Sequence, residues 1–202
     1  LTSTTMFITC LTFLVVISSE FMHRRLSREY LELFLSRPFS RAQLMLSMYF
    51  GTVSAVIILF SFLGIVWASA LFIRTGIFIP VVLGTCIAIA LGFAAILPLM
   101  SAGTVIVRQA NLTLVGALIY VLFGSGLLEA YNQGLFRSSL DVFQARLYGF
   151  LYYLLPQLFA IKKLCGSLIL GSELNFVPII NAGGLSFIVL VITNIVFERS
   201  DL

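Results

Sequence analysis

Residues 77–100 read Ile77-Phe-Ile-Pro80-Val-Val-Leu-Gly84-Thr-Cys86-Ile-Ala88-Ile-Ala-Leu-Gly92-Phe-Ala-Ala-Ile-Leu-Pro98-Leu-Met100, without a single charge. A helix of about 20 such residues is long enough to cross the hydrocarbon core of a bilayer. Comparable stretches occupy 6–22, 48–73, 112–130 and 179–197, so the pattern predicts five spans. Strands of a membrane barrel would alternate polar and apolar residues over short segments, and these stretches do not alternate. The expected fold class is therefore all-α: one polytopic transmembrane helix bundle over residues 1–202. Composition agrees, because 60% of the chain is hydrophobic and 10% charged, an excess that a soluble domain of this size cannot hide from water.

Charge placement predicts the orientation. Arg24, Arg25, Arg28, Arg37 and Arg41 crowd into the loop at 23–47, as expected of a cytoplasmic connection. Parity then puts Arg74 and the long 131–178 connection outside, and Arg108 and the C-terminal Phe197-Glu-Arg-Ser-Asp-Leu202 inside. A net charge of +4 could also suit nucleic acid, but the basic patch is flanked by spans and lacks a stacking array of aromatics, so no nucleic-acid partner is expected. Within 131–178, residues 148–170 are as apolar as a span yet carry Pro156, Lys162 and Lys163. Proline and two lysines make a simple crossing costly, and the expectation is a helical excursion that lies on, or dips into, the outer leaflet.

Few residues here could do covalent or metal chemistry. His23 is the single histidine; Cys10, Cys86 and Cys165 have no metal-ligand or CxxC spacing and read as apolar fillers. The spans hold no paired carboxylates, and no Gly-x-x-x-x-Gly-Lys-Ser/Thr phosphate loop occurs. No catalytic, cofactor or metal site is expected on this chain. Gly84, Ala88 and Gly92 form a smooth ridge that suits close helix packing, within the chain or in assembly. Pro80 and Pro98 read as helix termini or kinks.

The loop at 24–47 carries more information than a linker. Leu26, Tyr30, Leu33 and Phe34 recur at helical spacing, opposite Arg25, Arg28, Glu29 and Glu32, so an amphipathic helix is expected up to about Ser36. Pro38 ends it. Ser40 followed three residues later by Gln43 is a capping-box signature that starts a second helix running into the next span. Such an elbow suits either the transmission of a push or a helix anchored among lipid headgroups.

The stretch Glu29-Tyr-Leu-Glu-Leu-Phe-Leu-Ser36-Arg37-Pro38-Phe39-Ser40-Arg41 resembles the pattern of ABC-2 type transporter permeases, in which a leucine-rich segment precedes Ser-Arg-Pro-Ile-Ser-Arg. Phe39 stands in place of the aliphatic residue, and Ser47-Met48-Tyr49 in place of a Gly-Lys pair. Leu154-Leu155-Pro156-Gln157-Leu158 and the C-terminal Phe-Glu-Arg-Ser-Asp-Leu are similar to further family segments, so the likeness runs along nearly the whole chain in order. The family has six spans and this chain starts where the second would lie, so a further span is expected before Leu1.

The resemblance implies the membrane subunit of an ATP-driven exporter in a prokaryotic plasma membrane, multi-pass with a cytoplasmic C-terminus. A separate ABC ATPase subunit would bind ATP, and a second copy or a homologous permease would complete the complex, with membrane lipid around it. The residues implied in coupling to the ATPase are Glu29, Leu31, Leu33, Ser36, Arg37, Pro38, Ser40 and Arg41. Two other readings remain open: a membrane-embedded enzyme, and an anchor or assembly component that transports nothing.

Overall fold

The computed structural model describes residues 2–25, 40–78, 80–107, 109–135, 142–170 and 176–199. Among these residues every regular element is helical. Helix α1 is Thr2–Arg25, α2 is Arg41–Thr75 and α3 is Val81–Val107. Helix α4 is continuous through Ala110–Ile119, a π-helical turn at Tyr120–Gly124, and Ser125–Asn132. Helices α5, Val142–Leu154, and α6, Leu158–Leu170, follow one another across a break at 155–157 and are together called the hairpin, although they pack on α4 and α3 and not along each other; α7 is Val177–Arg199. Five helices are long and apolar enough to cross a membrane, with spans at Thr4–Phe21, Ala42–Thr75, Val81–Val107, Asn111–Asn132 and Val177–Glu198.

Each expected span falls on one of these helices; the second starts earlier, at Ala42, and the third is shifted at both ends. The third span begins at Val81 instead of Ile77, because Pro80 takes the position just before the first helical residue, where its missing N–H costs nothing. It also runs on to Val107, past Pro98 and Met100, leaving only residues 108 and 109 before α4. Ser101 and Thr104 remain buried in this extension because their hydroxyls donate back to the carbonyls of Pro98 (2.8 Å) and Met100 (2.8 Å). Such back-bonding spares a span from presenting an unpaired hydroxyl to hydrocarbon.

Helix α3 is the axis of the bundle: 67% of its span is buried, against 22–33% for the other four. It packs against α1, α2, α4, α6 and α7. In lipid, helices are not driven together by a hydrophobic effect, so close van der Waals approach has to hold them, and that favours small residues. The Gly84, Ala88 and Gly92 ridge is buried within the chain. A Cβ on Gly92 would lie 3.4 Å from Leu11 and 3.5 Å from Phe7, so α1 packs closely over this glycine. Gly64 on α2 gives Cys86 and Leu83 the same access, with the nearest atoms at 3.3 Å.

Two faces of the bundle follow from side-chain contacts. Leu44, Met45 and Met48 near the start of α2 cluster with Val105 near the end of α3 and Phe197 near the end of α7. The start of α2, which follows the elbow, and the C-terminal end of α7 therefore share one side, called here the elbow face. Near the opposite face, Tyr131 at the end of α4 stacks on Tyr148 of α5 (5.6 Å) and donates to the Ala145 carbonyl (2.8 Å). Helix α5 runs from there inward along α4 until the chain breaks at Pro156, whose carbonyl accepts from the Tyr120 hydroxyl midway along α4. Helix α6 returns along α3, with Ile161 and Cys165 in the core, and reaches α1 through Phe159 and Lys162. The excursion therefore dips into the bundle and leaves on the face it entered, so α7 can run back to the elbow face.

Candidate functional site

Ser40 is the first described residue after the elbow, and it is extended (φ −73°, ψ 152°). Its side-chain oxygen accepts from the Gln43 amide (3.2 Å), while Gln43 Oε1 accepts from the Ser40 amide (3.1 Å), the reciprocal pair expected from the sequence. Two amide donors at the start of α2 are thereby satisfied. Arg41 is the first residue of that helix. Glu29, Leu31, Leu33, Ser36, Arg37 and Pro38 lie outside the described residues, as does the amphipathic helix expected up to Ser36. On the near side of the elbow, Arg24 Nε meets Glu20 at 2.9 Å, one turn apart and largely exposed. An exposed pair of this kind adds only about 0.3–0.5 kcal/mol.

The capped start of α2 is fastened to the rest of the bundle. Phe197, fully buried, sits among Leu44, Met45, Met48 and Val105. The first turns of α2 are thereby in side-chain contact with the ends of both α3 and α7. Ser40→Ala removes one half of the box and should lower stability by about 1 kcal/mol. A fall in the midpoint of SDS-induced unfolding in mixed micelles would register it.

At mid-depth, Pro98 has no N–H to give to the carbonyl of Ala94, four residues back. The Tyr49 hydroxyl of α2 donates to that carbonyl (3.1 Å), so a side chain from another helix replaces the missing backbone bond. Ser186 of α7 donates to the next carbonyl, that of Ala95 (3.4 Å). The sequence marks Pro98 as a place where a donor is needed, but nothing in it says which residue provides one.

Toward the hairpin face, Glu129 is half-buried and accepts from Gln133 Nε2 (3.0 Å). Burial, together with Glu129 and Tyr153, pushes the Tyr152 phenol above its ordinary value. Lys162 of α6 donates to the Thr4 hydroxyl of α1, and burial pulls its amine below the usual lysine range. Phe159 meets Phe7 with ring centroids 6.4 Å apart. The hairpin is thus pinned at its tip by Tyr120 and along its outward limb by α1. Gly124, one turn beyond Tyr120, leaves room for that ring, which a Cβ there would approach to 3.0 Å.

Cys86 and Cys165 are buried and Cys10 half-buried, all as free thiols. Among the described residues no three His, Cys, Asp or Glu side chains come together in a way that could hold a metal ion. The contacts described hold helix ends together and satisfy carbonyls at depth. Among the described residues five helices can cross a membrane, four of them packed around α3, and they define an integral membrane protein of the polytopic α-helical class. No protein-family profile, curated protein or solved structure matches the chain.

Proposed function

We propose that this chain is the permease subunit of an ABC-2 type transporter, exporting a hydrophobic or amphipathic substrate with energy from a separate cytoplasmic ATPase. The observation that carries the reading is the elbow motif Ser36-Arg37-Pro38-Phe39-Ser40-Arg41, leading into a capped helix whose first turns are packed against the ends of α3 and α7. An ATPase docked at Arg37 and Arg41 would act through α2 on three helices at once. The elbow face is then cytoplasmic, with the C-terminus on the same side, in a prokaryotic plasma membrane. A second permease copy or a homologue completes the complex, and ATP is bound by the partner alone.

The test is recovery of partners from the native host in mild detergent, identified by mass spectrometry, for the wild-type protein and an Arg37→Glu/Pro38→Ala variant. An ABC ATPase should accompany the wild type and fall by about tenfold or more in the variant, since removing one side of a buried charged contact costs about 2–5 kcal/mol. The variant must elute as a monodisperse species with an unchanged unfolding midpoint. If no ATPase is recovered with the wild type in several detergents, the chain is better read as an anchor, with the elbow lying on the membrane surface.

A further inference from the structure

Helices α2, α3 and α7 line an open apolar groove of about 280 Å³, and Ile161 of α6 forms part of its wall. We propose that it holds one acyl chain of a bilayer lipid, taken from the leaflet on the hairpin face. The proposal does not depend on the transport reading.

Depth and chemistry select the occupant. Ile179, Ala182, Ser186 and Leu190 line one face of α7 at spacings of three and four residues. They extend from the hairpin-face end of the helix for about 16 Å at 1.5 Å per residue. One leaflet of a hydrocarbon core about 30 Å thick has nearly the same depth, so a chain entering beside Ile179 would reach its end near Leu190. Phe50 and Phe187, 61% and 69% exposed, stand on the lipid-facing side of the groove.

Two hydroxyls line the groove, and both are already donors elsewhere: Tyr49 to the Ala94 carbonyl and Ser186 to the Ala95 carbonyl. Nothing in the lining therefore asks a ligand for an acceptor, which suits an alkyl chain. An apolar cavity of about 150 Å³ already holds a benzene-sized molecule, so the volume is ample for a length of alkyl chain. Gly183 widens the groove, since a Cβ there would meet no atom within 4 Å. The same fact makes Gly183 the position at which a larger side chain can fill the groove without disturbing the fold.

The full chain would be reconstituted in phosphatidylcholine vesicles whose lipid carries a diazirine in one acyl chain. It would then be extracted and washed in detergent, irradiated and mapped by peptide mass spectrometry. About one lipid per chain should survive washing, with adducts on α7 between 179 and 190 and on α2 at Tyr49 and Phe50. Gly183→Leu should lower retention by about tenfold. Gly116→Leu, at an exposed site on α4 where a Cβ also meets nothing, should leave it unchanged. Three outcomes would overturn the proposal: no lipid retained by the wild type, adducts spread over the outer face of α2 at Ile58 and Phe62, or equal retention in the two variants.

Discussion

Gly103→Ala is expected to lower the stability of the folded bundle by about 1–2 kcal/mol, although alanine is the better helix former. A Cβ on Gly103 would sit 2.8 Å from Thr113 Cγ2, closer than unbonded carbons are found, and a tight 3.2 Å from its Oγ1. Thr113 cannot easily yield: it is buried, its χ1 is stiff, and its hydroxyl donates to the Gln109 carbonyl (3.2 Å). Nor can the helices part there, because only residues 108 and 109 separate α3 from α4. Overpacking of this kind costs about 1–3 kcal/mol, and alanine's helix propensity returns at most about 1 kcal/mol of it.

The comparison that checks this is the same substitution on α4. Gly116→Ala introduces a Cβ with no neighbour within 4 Å and should be neutral or slightly stabilising. Thr113→Ser removes the nearest methyl and should recover most of the Gly103→Ala loss when the two are combined. SDS unfolding midpoints of the three single variants and the double would show it. Equal effects of Gly103→Ala and Gly116→Ala would rule out the close approach of α3 to α4.

The second large effect is expected at mid-depth. Tyr49→Phe keeps the ring and leaves the Ala94 carbonyl without the donor it has in place of the Pro98 N–H. A buried acceptor stripped of its partner costs about 1–3 kcal/mol in proteins generally. Side-chain hydrogen bonds between membrane helices average about 0.6 kcal/mol with a maximum near 1.7, so a loss of about 1–1.7 kcal/mol is expected at this carbonyl, which has no backbone donor of its own. In a Pro98→Ala background the helix regains its own N–H for Ala94, and the same Tyr49→Phe change should cost close to nothing. A double-mutant cycle reads the difference directly. If Tyr49→Phe costs the same in both backgrounds, the tyrosine contributes only packing.

Some of this architecture is legible residue by residue. The uncharged run at 77–100 requires a spanning helix because no soluble fold of this length could bury it alongside four more. Ser40 and Gln43 announce a helix start through a purely local pair of hydrogen bonds, and the structure contains both. Lys162, Lys163 and Pro156 argue against a sixth crossing, since each makes hydrocarbon costly to enter, and the hairpin that turns back at Pro156 is consistent with that. Boundaries were less legible: α3 passes through Pro98, which local propensity reads as a place to stop, because Tyr49 and Ser186 bind carbonyls on the turn before it.

Contacts between distant residues could not be read this way. Nothing local distinguishes Tyr49 from the other tyrosines as the partner of Ala94, or Phe197 from the other phenylalanines as the link between helix ends on the elbow face. The π turn at Tyr120–Gly124 that presents Tyr120 to Pro156 has no sequence signature either. Sequence alone determined which segments enter the membrane and where α2 begins, because hydropathy and capping act over a few neighbouring residues. Only the tertiary structure decided which helix lies at the centre and how deep the hairpin dips. The same holds for whether a glycine is crowded like Gly103 or open like Gly116, because in lipid those outcomes depend on which surfaces fit together closely enough for dispersion and a few interhelical hydrogen bonds to hold them.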